Sequence, residues 1–289
     1  EKQPDVDVKR IFMEMYAPER SSTGIVYPKA HEDFMKSINE GCLVLNYVGH
    51  GGYNALSDEG LYKHKHIEEW TNKGRLPFFI TATCDFCPFD DNHLESSGEK
   101  SFLYPHGGFI GLFTTTRLVY GSSNNRIHKA LYDFLLETND DGRRYTIGEA
   151  SFNAKLKARN LTNSLKYVLI GDPALTLDFG TERYVATEEI NGQHIDICES
   201  PIAALKTNVV KGSIRNADNS LCDSFNGQVM VTLYDKRATK IMTGPVSGSA
   251  YSYEDNGNIL YSGMVPVKGG SFDVSFILSK DIDFEVGYG

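Results

Sequence analysis

The chain has 289 residues, 40% of them hydrophobic and 23% charged, which is typical of a folded protein with about two domains. Its formal net charge of −9 argues against a nucleic-acid-binding surface, which is normally basic. No apolar run approaches the roughly 20 residues needed to cross a bilayer. The sequence lacks both an initial Met and a signal-peptide pattern, so we interpret it as an internal fragment of a longer protein.

Strand and helix patterns alternate through the first part of the chain. Four apolar runs, several of them containing β-branched residues, predict strands that are buried on both faces. These runs lie at 42–48, 77–83, 107–116 and 167–171. Apolar residues at helical spacing predict helices at 31–40, 64–73, 125–137 and 146–160. The last helix opens with Thr146 and Glu149, a capping-box pattern. This alternation predicts a mostly parallel sheet flanked by helices.

From about residue 185 the helical period gives way to strict alternation. Apolar residues occupy every second position in 229–233 and 272–278. Asn-Gly pairs at 191, 226 and 256 indicate turns. We therefore predict an α/β domain over 1–182 and an all-β, immunoglobulin-like sandwich over 183–289, truncated at its C-terminus.

His50 and Cys84 each follow a predicted strand directly, in YVGHGG (47–52) and TATCDFCPFDD (81–91). Active-site crevices of parallel sheets lie at the carboxyl ends of the strands. If the two strands are neighbours, imidazole and thiol emerge on the same edge. The thiolate is the reactive form, and a nearby imidazolium favours it. The pattern indicates a cysteine nucleophile with a histidine base.

The glycines after His50 have a chemical interpretation. Gly51 and Gly52 carry no Cβ, so a substrate carbonyl can approach the backbone closely. We expect the N–H groups of Gly51 and Cys84 to stabilise the developing oxyanion. One such donor lowers the barrier by roughly 2.7–4 kcal/mol.

Other residues compete for these roles. Cys87 is the rival nucleophile, and the Cys84–Cys87 pair with His93 is an incomplete zinc pattern that lacks a fourth ligand. The remaining histidines of this region are interpreted as ordinary: solvated for His64 and His66, and surface or packing residues for His106 and His128.

Two further groups of residues allow alternatives. Asp85, Asp90 and Asp91 either cap turns, or bind a basic substrate segment or a structural Ca²⁺ ion. Cys198 and Cys222 either pair or remain free core thiols, while Cys42 is expected to be a small buried hydrophobe.

The order of the motifs resembles the gingipain-like cysteine peptidases. The resemblance is carried by KRIFMEMY, NYVGHGG, LPFFITATCDFCPFDD, GGFIGLFTTTRLVY, LIGDPAL and FNGQVMVTLYDK, and it covers nearly the whole chain. It implies a caspase-like α/β fold followed by a β domain. It also implies His50 as general base, Cys84 as nucleophile, and the amides of Gly51 and Cys84 as oxyanion donors.

The same resemblance assigns a substrate-contacting wall and a missing partner. Thr116, Arg117 and Tyr120 are the expected wall residues, with a plain surface loop as the alternative. In the family an acidic residue of an upstream subdomain orients the histidine, and that subdomain would lie before Glu1. Because the fragment lacks this acid, the resemblance does not imply that the fragment is active by itself. It implies no cofactor for the chemistry.

The resemblance is greatest to family members that act as sortases of the type IX secretion system in Bacteroidetes. These imply removal of C-terminal signals from secreted protein substrates at the cell surface, association with other outer-membrane secretion subunits, and no nucleic-acid partner. The alternatives are a general secreted protease of the gingipain type and a non-catalytic, peptidase-like binding module. A serine hydrolase is disfavoured because the sequence contains no G-x-S-x-G elbow.

Overall fold

A computed structural model describes residues 6, 8–22, 24–159, 161–180, 182–198, 202–243 and 250–280. The chain divides into two compact units, Glu1–Asp178 and Phe179–Gly289. None of the described helices is long and apolar enough to span a membrane.

The first unit combines strands with helices. Its described strands are β1 (Glu19–Ser21), β2 (Gly24–Val26), β3 (Val44–Val48), β4 (Gly51–Gly52), β5 (Ala55–Leu56), β6 (Tyr62–Lys63), β7 (Phe78–Ala82), β8 (Gly111–Thr115) and β9 (Tyr167–Gly171). Its described α-helices are α1 (Pro28–Glu40), α2 (Ser97–Leu103), α3 (Gly121–Leu135), α4 (Ile147–Ala158) and α5 (Leu161–Ser164), and 3-10 helices span Met13–Met15 and His64–Glu69.

The main sheet has the order β3-β7-β8-β9. The pairs β3–β7 and β7–β8 are parallel, while β9 runs antiparallel to β8. The predicted strand over 42–48 is not buried on both faces, since Val48 is 70% exposed. The physical reason is that β3 forms an edge of the sheet among the described residues.

Caps in the sequence define where the helices begin and end. Pro28 occupies the first turn of α1, where its missing N–H costs nothing, and Gly41 ends the helix with φ of 90°. The predicted capping box of α4 is confirmed: Glu149 N–H donates to Thr146 Oγ1 at 3.1 Å, and Thr146 N–H donates to Glu149 Oε2 at 2.9 Å.

The predicted helix over 64–73 is wrong in length and type. The structure has a 3-10 helix that stops at Glu69, and Trp70 follows it in an extended conformation. Trp70 is buried and stacks on Tyr62 with ring centroids 5.5 Å apart. Packing of this large ring into the core outweighs the helical spacing of the segment.

An aromatic core covers one face of the main sheet. It joins α1 to the strand residue Phe79 and to residues of the connecting segments, including Tyr62, Trp70, Phe86 and Phe109. Side chains alternate between faces along a strand. Phe113 therefore lies on the opposite face, where it stacks on Tyr167 at 5.0 Å.

The second unit is all-β in the described residues apart from a 3-10 helix at Ile195–Ile197. Its strands are β10 (Arg183–Ile190), β11 (Gln193–His194), β12 (Thr207–Asn216), β13 (Gly227–Tyr234), β14 (Ala238–Thr243), β15 (Ala250–Asp255), β16 (Ile259–Val267) and β17 (Ser271–Ile277). They form a sheet of order β11-β10-β12-β17 and the antiparallel pairs β13–β16 and β14–β15. Residues of β12, β16 and β17 share one core, as the alternation predicts.

The Asn-Gly pairs have different outcomes. Asn191-Gly192 forms a turn, with φ of 50° and 82°. Asn226-Gly227 is not a turn, because Gly227 already pairs with Val267 at the start of β13.

Candidate active site

The two strand ends singled out in the sequence are neighbours in the sheet. Parallel pairing of β3 with β7 places Val48 opposite Ala82, and Gly49 N–H continues the ladder to Ala82 O at 3.3 Å. Counting two residues on from this pair places position 50 opposite position 84. Adjacent strands lie about 4.8 Å apart, so His50 and Cys84 leave the sheet at the same edge.

A tight hairpin follows His50. The backbone carbonyl of His50 accepts a hydrogen bond from Ser57 N–H at 2.9 Å and another from the Tyr47 hydroxyl at 2.6 Å. Gly51 then pairs with Leu56, and Gly52 with Ala55. Hydrogen-bonded and non-hydrogen-bonded pairs alternate in an antiparallel ladder. Since 50 and 57 form a bonded pair, Gly51 falls at a non-bonded position and its N–H points away from β5.

Close packing around position 51 leaves no room for a side chain, so it requires glycine there. A Cβ on Gly51 would lie 2.5 Å from Thr83 Oγ1 and 3.1 Å from Ala55 O, whereas a Cβ on Gly52 would meet nothing within 4 Å. Thr83 is buried, and its hydroxyl has no hydrogen-bond partner among the described residues. The hairpin can therefore approach the end of β7 only with glycine at position 51.

Cys84 is half-buried and is held by the segment that follows β8. Val119 N–H lies 3.5 Å from Cys84 Sγ, and Val119 O lies 3.7 Å from it. Asp85 next turns the chain with φ of 44°, and its N–H donates to Arg117 O at 3.4 Å. In the described part of the chain, no acceptor is hydrogen-bonded to the backbone N–H of Cys84.

The imidazole of His50 differs from the thiol. His50 is exposed, and no hydrogen bond to its ring is present within the described residues. The chain as described thus fixes the backbone of His50 without fixing its ring.

A buried tyrosine lies close enough to Cys84 to be affected by its charge, and a buried histidine packs against that tyrosine. Tyr167 is fully buried, and its hydroxyl has no hydrogen-bond partner in the described part of the chain. Burial, and then the charge of a Cys84 thiolate, raise the pKa of Tyr167, so its phenol stays neutral. His128 packs edge-on against this ring, and burial lowers the pKa of His128 to about 4 despite the opposing effect of the Thr81 carbonyl.

Cys87 occupies a different environment. It is fully buried beside Gly98, where burial raises the pKa of Cys87 to about 11. A thiol in this position is unreactive at neutral pH. Within the described residues no disulfide joins Cys198 to Cys222, and Cys42 is half-buried.

Two acidic residues after Cys84 form contacts within the surface loops. Asp90 forms a two-pronged ion pair with Arg117, with distances of 2.9 and 2.5 Å. Asp91 caps a turn by accepting His93 N–H at 3.0 Å. Among the described residues, no group of three or more His, Cys, Asp or Glu side chains is placed to hold a metal.

The three expected wall residues lie on the segment that contacts the thiol, and they differ in how far their side chains are bound to other groups. The Thr116 hydroxyl donates to Lys166 O at 3.2 Å, and the Arg117 guanidinium is bound to Asp90. Tyr120 is 65% exposed, and the ammonium group of Lys166 lies 5.4 Å from its ring centroid. Of the three side chains, Tyr120 is the one most open to a ligand.

Two histidines that were expected to be solvated contact neighbouring residues instead. His66 Nδ1 accepts Lys63 N–H at 3.1 Å, and its ring lies 4.3 Å from that of His31. His64 Nε2 lies 3.3 Å from Glu95 Oε2. The cause is the short 3-10 helix, which presents both rings to neighbouring segments. His106 is exposed, and His128 is a packing residue, in line with the sequence interpretation.

Comparison with known proteins gives a family match over the first unit. The model of "Peptidase family C25" matches residues 1–178. No curated protein matches the chain.

Solved structures also match. The complex of the pro- and mature domains of RgpB from Porphyromonas gingivalis is 18% identical, with a TM-score of 0.48, 89% of this chain covered and 51% of that one. The dimeric latent PorU from Porphyromonas gingivalis is 24% identical, with a TM-score of 0.33, 63% of this chain covered and 17% of that one. The chain spans about half the length of the RgpB structure.

Proposed function

Because this chain belongs to peptidase family C25, the gingipain family of cysteine peptidases, we propose that Cys84 is its nucleophile and His50 its general base. Sulfur attacks the peptide carbonyl, and a thioester forms as the C–N bond breaks. The imidazole delivers the proton to the leaving amine. Water, or an amine acceptor in a transfer reaction, then releases the acyl group from the sulfur.

The observation that carries this proposal is the register of β3 and β7. Val48 and Ala82 are partners in a parallel ladder, and each catalytic candidate follows its strand by two residues. A nucleophile and its base must lie within hydrogen-bonding reach of each other, directly or after substrate binds. Adjacent parallel strands bring positions 50 and 84 to one edge of the sheet, which supports this pairing. The burial and raised pKa of Cys87 argue against Cys87 as the nucleophile.

Two backbone amides support the oxyanion assignment. Gly51 N–H is directed away from β5 by the alternation of the ladder, and Cys84 N–H has no acceptor among the described residues. Both amides belong to the segments that follow the paired strands. An oxyanion hole consists of such preorganised donors, aimed at the carbonyl oxygen as its charge develops.

The substrate class follows from the motif resemblance. We assign this protein to the PorU type, which removes C-terminal signals from proteins of the type IX secretion system and attaches the cargo to anionic lipopolysaccharide. The location would be the cell surface at the outer membrane, with other secretion subunits as partners. Thr116, Arg117 and Tyr120 are proposed for the cleft wall, with Tyr120 as the main contact.

The test of this function uses the full-length protein in its own cells. A Cys84→Ala variant should leave the C-terminal signals on secreted cargo, as measured by intact mass of the cargo. Cys42→Ala, which changes a half-buried thiol two residues before β3, is the matched control and should process cargo normally. Normal processing by Cys84→Ala would refute the assignment.

A second candidate is a non-catalytic module that binds signal domains. It is favoured by the exposed ring of His50, which has no orienting hydrogen bond among the described residues. Full cargo processing by a Cys84→Ser, His50→Ala double variant would support this candidate. A general secreted protease would instead cleave unrelated unfolded proteins at rates comparable to those for the signal-bearing cargo.

A further inference from the structure

The sulfur of Cys84 lies against the backbone of a single residue, Val119. Val119 presents both its N–H, at 3.5 Å, and its carbonyl oxygen, at 3.7 Å, to Sγ. A thiol can donate to that carbonyl and accept from that N–H, whereas a thiolate can only accept. The N–H therefore stabilises the ionised, reactive form of the sulfur.

The two residues that flank Val119 are held by the same short segment, 163–166. We name residues 116–120 the rim loop. Lys166 Nζ donates to Leu118 O at 2.6 Å. On the other side, Asn163 Nδ2 donates to Tyr120 O at 2.9 Å, and Asn163 Oδ1 accepts Tyr120 N–H at 3.3 Å.

The side chain of Asn163 is itself fixed. Asn163 is fully buried, and its Nδ2 also donates to Asn124 Oδ1 on α3 at 2.9 Å. The base of the rim loop is tied to the same segment, because Thr116 N–H donates to Lys166 O at 2.9 Å. The rim loop thus has backbone attachments at Thr116, Leu118 and Tyr120, which lie on both sides of the residue whose backbone meets the sulfur.

We propose that Asn163 and Lys166 are positioning residues, which hold the rim loop so that Val119 N–H donates to the Cys84 thiolate. They do not touch the substrate, and they act only through the backbone of Val119. The catalytic meaning of the inference rests on the proposed peptidase function, but the state of the sulfur can be measured without any substrate.

The experiment measures how fast Cys84 of the full-length protein is alkylated by iodoacetamide as a function of pH, with peptide mapping to separate the cysteines. Lys166→Met removes the bond to Leu118 and should move the midpoint of the Cys84 profile upward by about one pH unit. This is the size expected when a charged group loses most of one hydrogen bond. Asn163→Ala, which removes both bonds to Tyr120 without adding a charge, should move it at least as far.

Two controls separate positioning from general loosening. Lys157→Met removes an exposed lysine of α4 that pairs with Asp133 at 2.7 Å, and it should leave the Cys84 profile unchanged. Val119→Ala keeps the backbone N–H and should also leave it unchanged. Alkylation of Cys42 serves as an internal reference in every variant.

The outcomes are distinct. An unchanged Cys84 profile in folded Lys166→Met protein overturns the inference, and so does an equal shift in Lys157→Met. If Asn163→Ala does not fold, the Lys166→Met result decides. A shifted profile together with normal cargo processing by Cys84→Ala would uphold the positioning role and refute the peptidase function.

Discussion

The two strand ends of the candidate site are built differently. At the end of β7 the thiol of Cys84 is half-buried and contacts the backbone of Val119, which neighbouring residues hold in place. At the end of β3 the backbone of His50 is tied down by Tyr47 and Ser57, but its ring is exposed. The described chain therefore holds the thiol of Cys84, the proposed nucleophile, and fixes the backbone of His50 without fixing its ring.

The largest predicted effect concerns the buried layer under Cys84. His128 has a pKa of about 4 in the folded protein because of its burial, against roughly 6.5 when unfolded. The unfolded chain therefore binds the proton first as the pH falls. The free energy of unfolding should decrease by about 3 kcal/mol between pH 6.5 and pH 4 from this residue.

The measurement is urea unfolding of the first unit, followed through the fluorescence of Trp70, the single tryptophan. His128→Phe should lose less stability across this pH range than the unaltered protein. His66, whose pKa is lowered to about 4 by burial and by His31, adds to the loss in both. His106→Gln, a change at an exposed histidine, should behave like the unaltered protein, and equal pH slopes for His128→Phe would contradict the prediction.

A pair of glycine changes tests the β3 side. Gly51→Ala places a Cβ 2.5 Å from Thr83 Oγ1, so the hairpin must shift and carry the proposed oxyanion amide with it. A displacement of about 1 Å in an active site lowers the rate roughly 100-fold, and kcat/KM for a signal-bearing peptide should fall by that factor.

Gly52→Ala is the matched control, because its Cβ would meet nothing within 4 Å. It should retain the activity of the unaltered protein. Equal losses in both variants would show that the hairpin is sensitive to any side chain, and that the close approach at Gly51 has no special role.

A change distant from both strand ends should affect stability alone. Thr146→Ala removes the hydroxyl that accepts Glu149 N–H at the start of α4. Loss of such a cap costs about 1 kcal/mol, measured by urea unfolding of the first unit. The alkylation profile of Cys84 should not move, and a shift there would mean that the site depends on helix caps throughout the unit.

The smallest effect is expected at Tyr167. Its hydroxyl is buried without a hydrogen-bond partner among the described residues, while its ring stacks on Phe113. Tyr167→Phe keeps the stack and removes the unpaired group, so the free energy of unfolding should stay equal or rise by up to about 1 kcal/mol. A loss of more than that would reveal a partner for the hydroxyl, and would weaken the view that the surroundings of Cys84 contain unpaired polar groups.

Local patterns predicted the elements that depend on local physics. The apolar runs before His50 and Cys84 are the adjacent strands β3 and β7, and the capping box at Thr146 opens α4. The prediction of a helix over 64–73 is wrong because burial of Trp70 outweighs helical spacing. The predicted sandwich and the boundary at 182 stay predictions.

The residues that hold the sulfur could not be found in this way. Val119, Asn163 and Lys166 carry no motif, and the hydrogen bonds of Asn163 and Lys166 to the neighbours of Val119 join positions about 45 residues apart in the chain. The sequence predicts the oxyanion role of Gly51 but not its packing role, because the close approach to Thr83 appears only once the two strands are paired. Long-range contacts of backbone groups leave no periodic signal in a sequence.

The most direct measurement is covalent labelling of the full-length protein by a peptidyl acyloxymethyl ketone, in which a reactive thiolate displaces the carboxylate. Peptide mapping should place the thioether adduct on Cys84, and a His50→Ala variant should show little or none. An adduct on Cys87, or equally rapid labelling of Cys84 without His50, would contradict a cysteine and histidine that act together at this edge of the sheet.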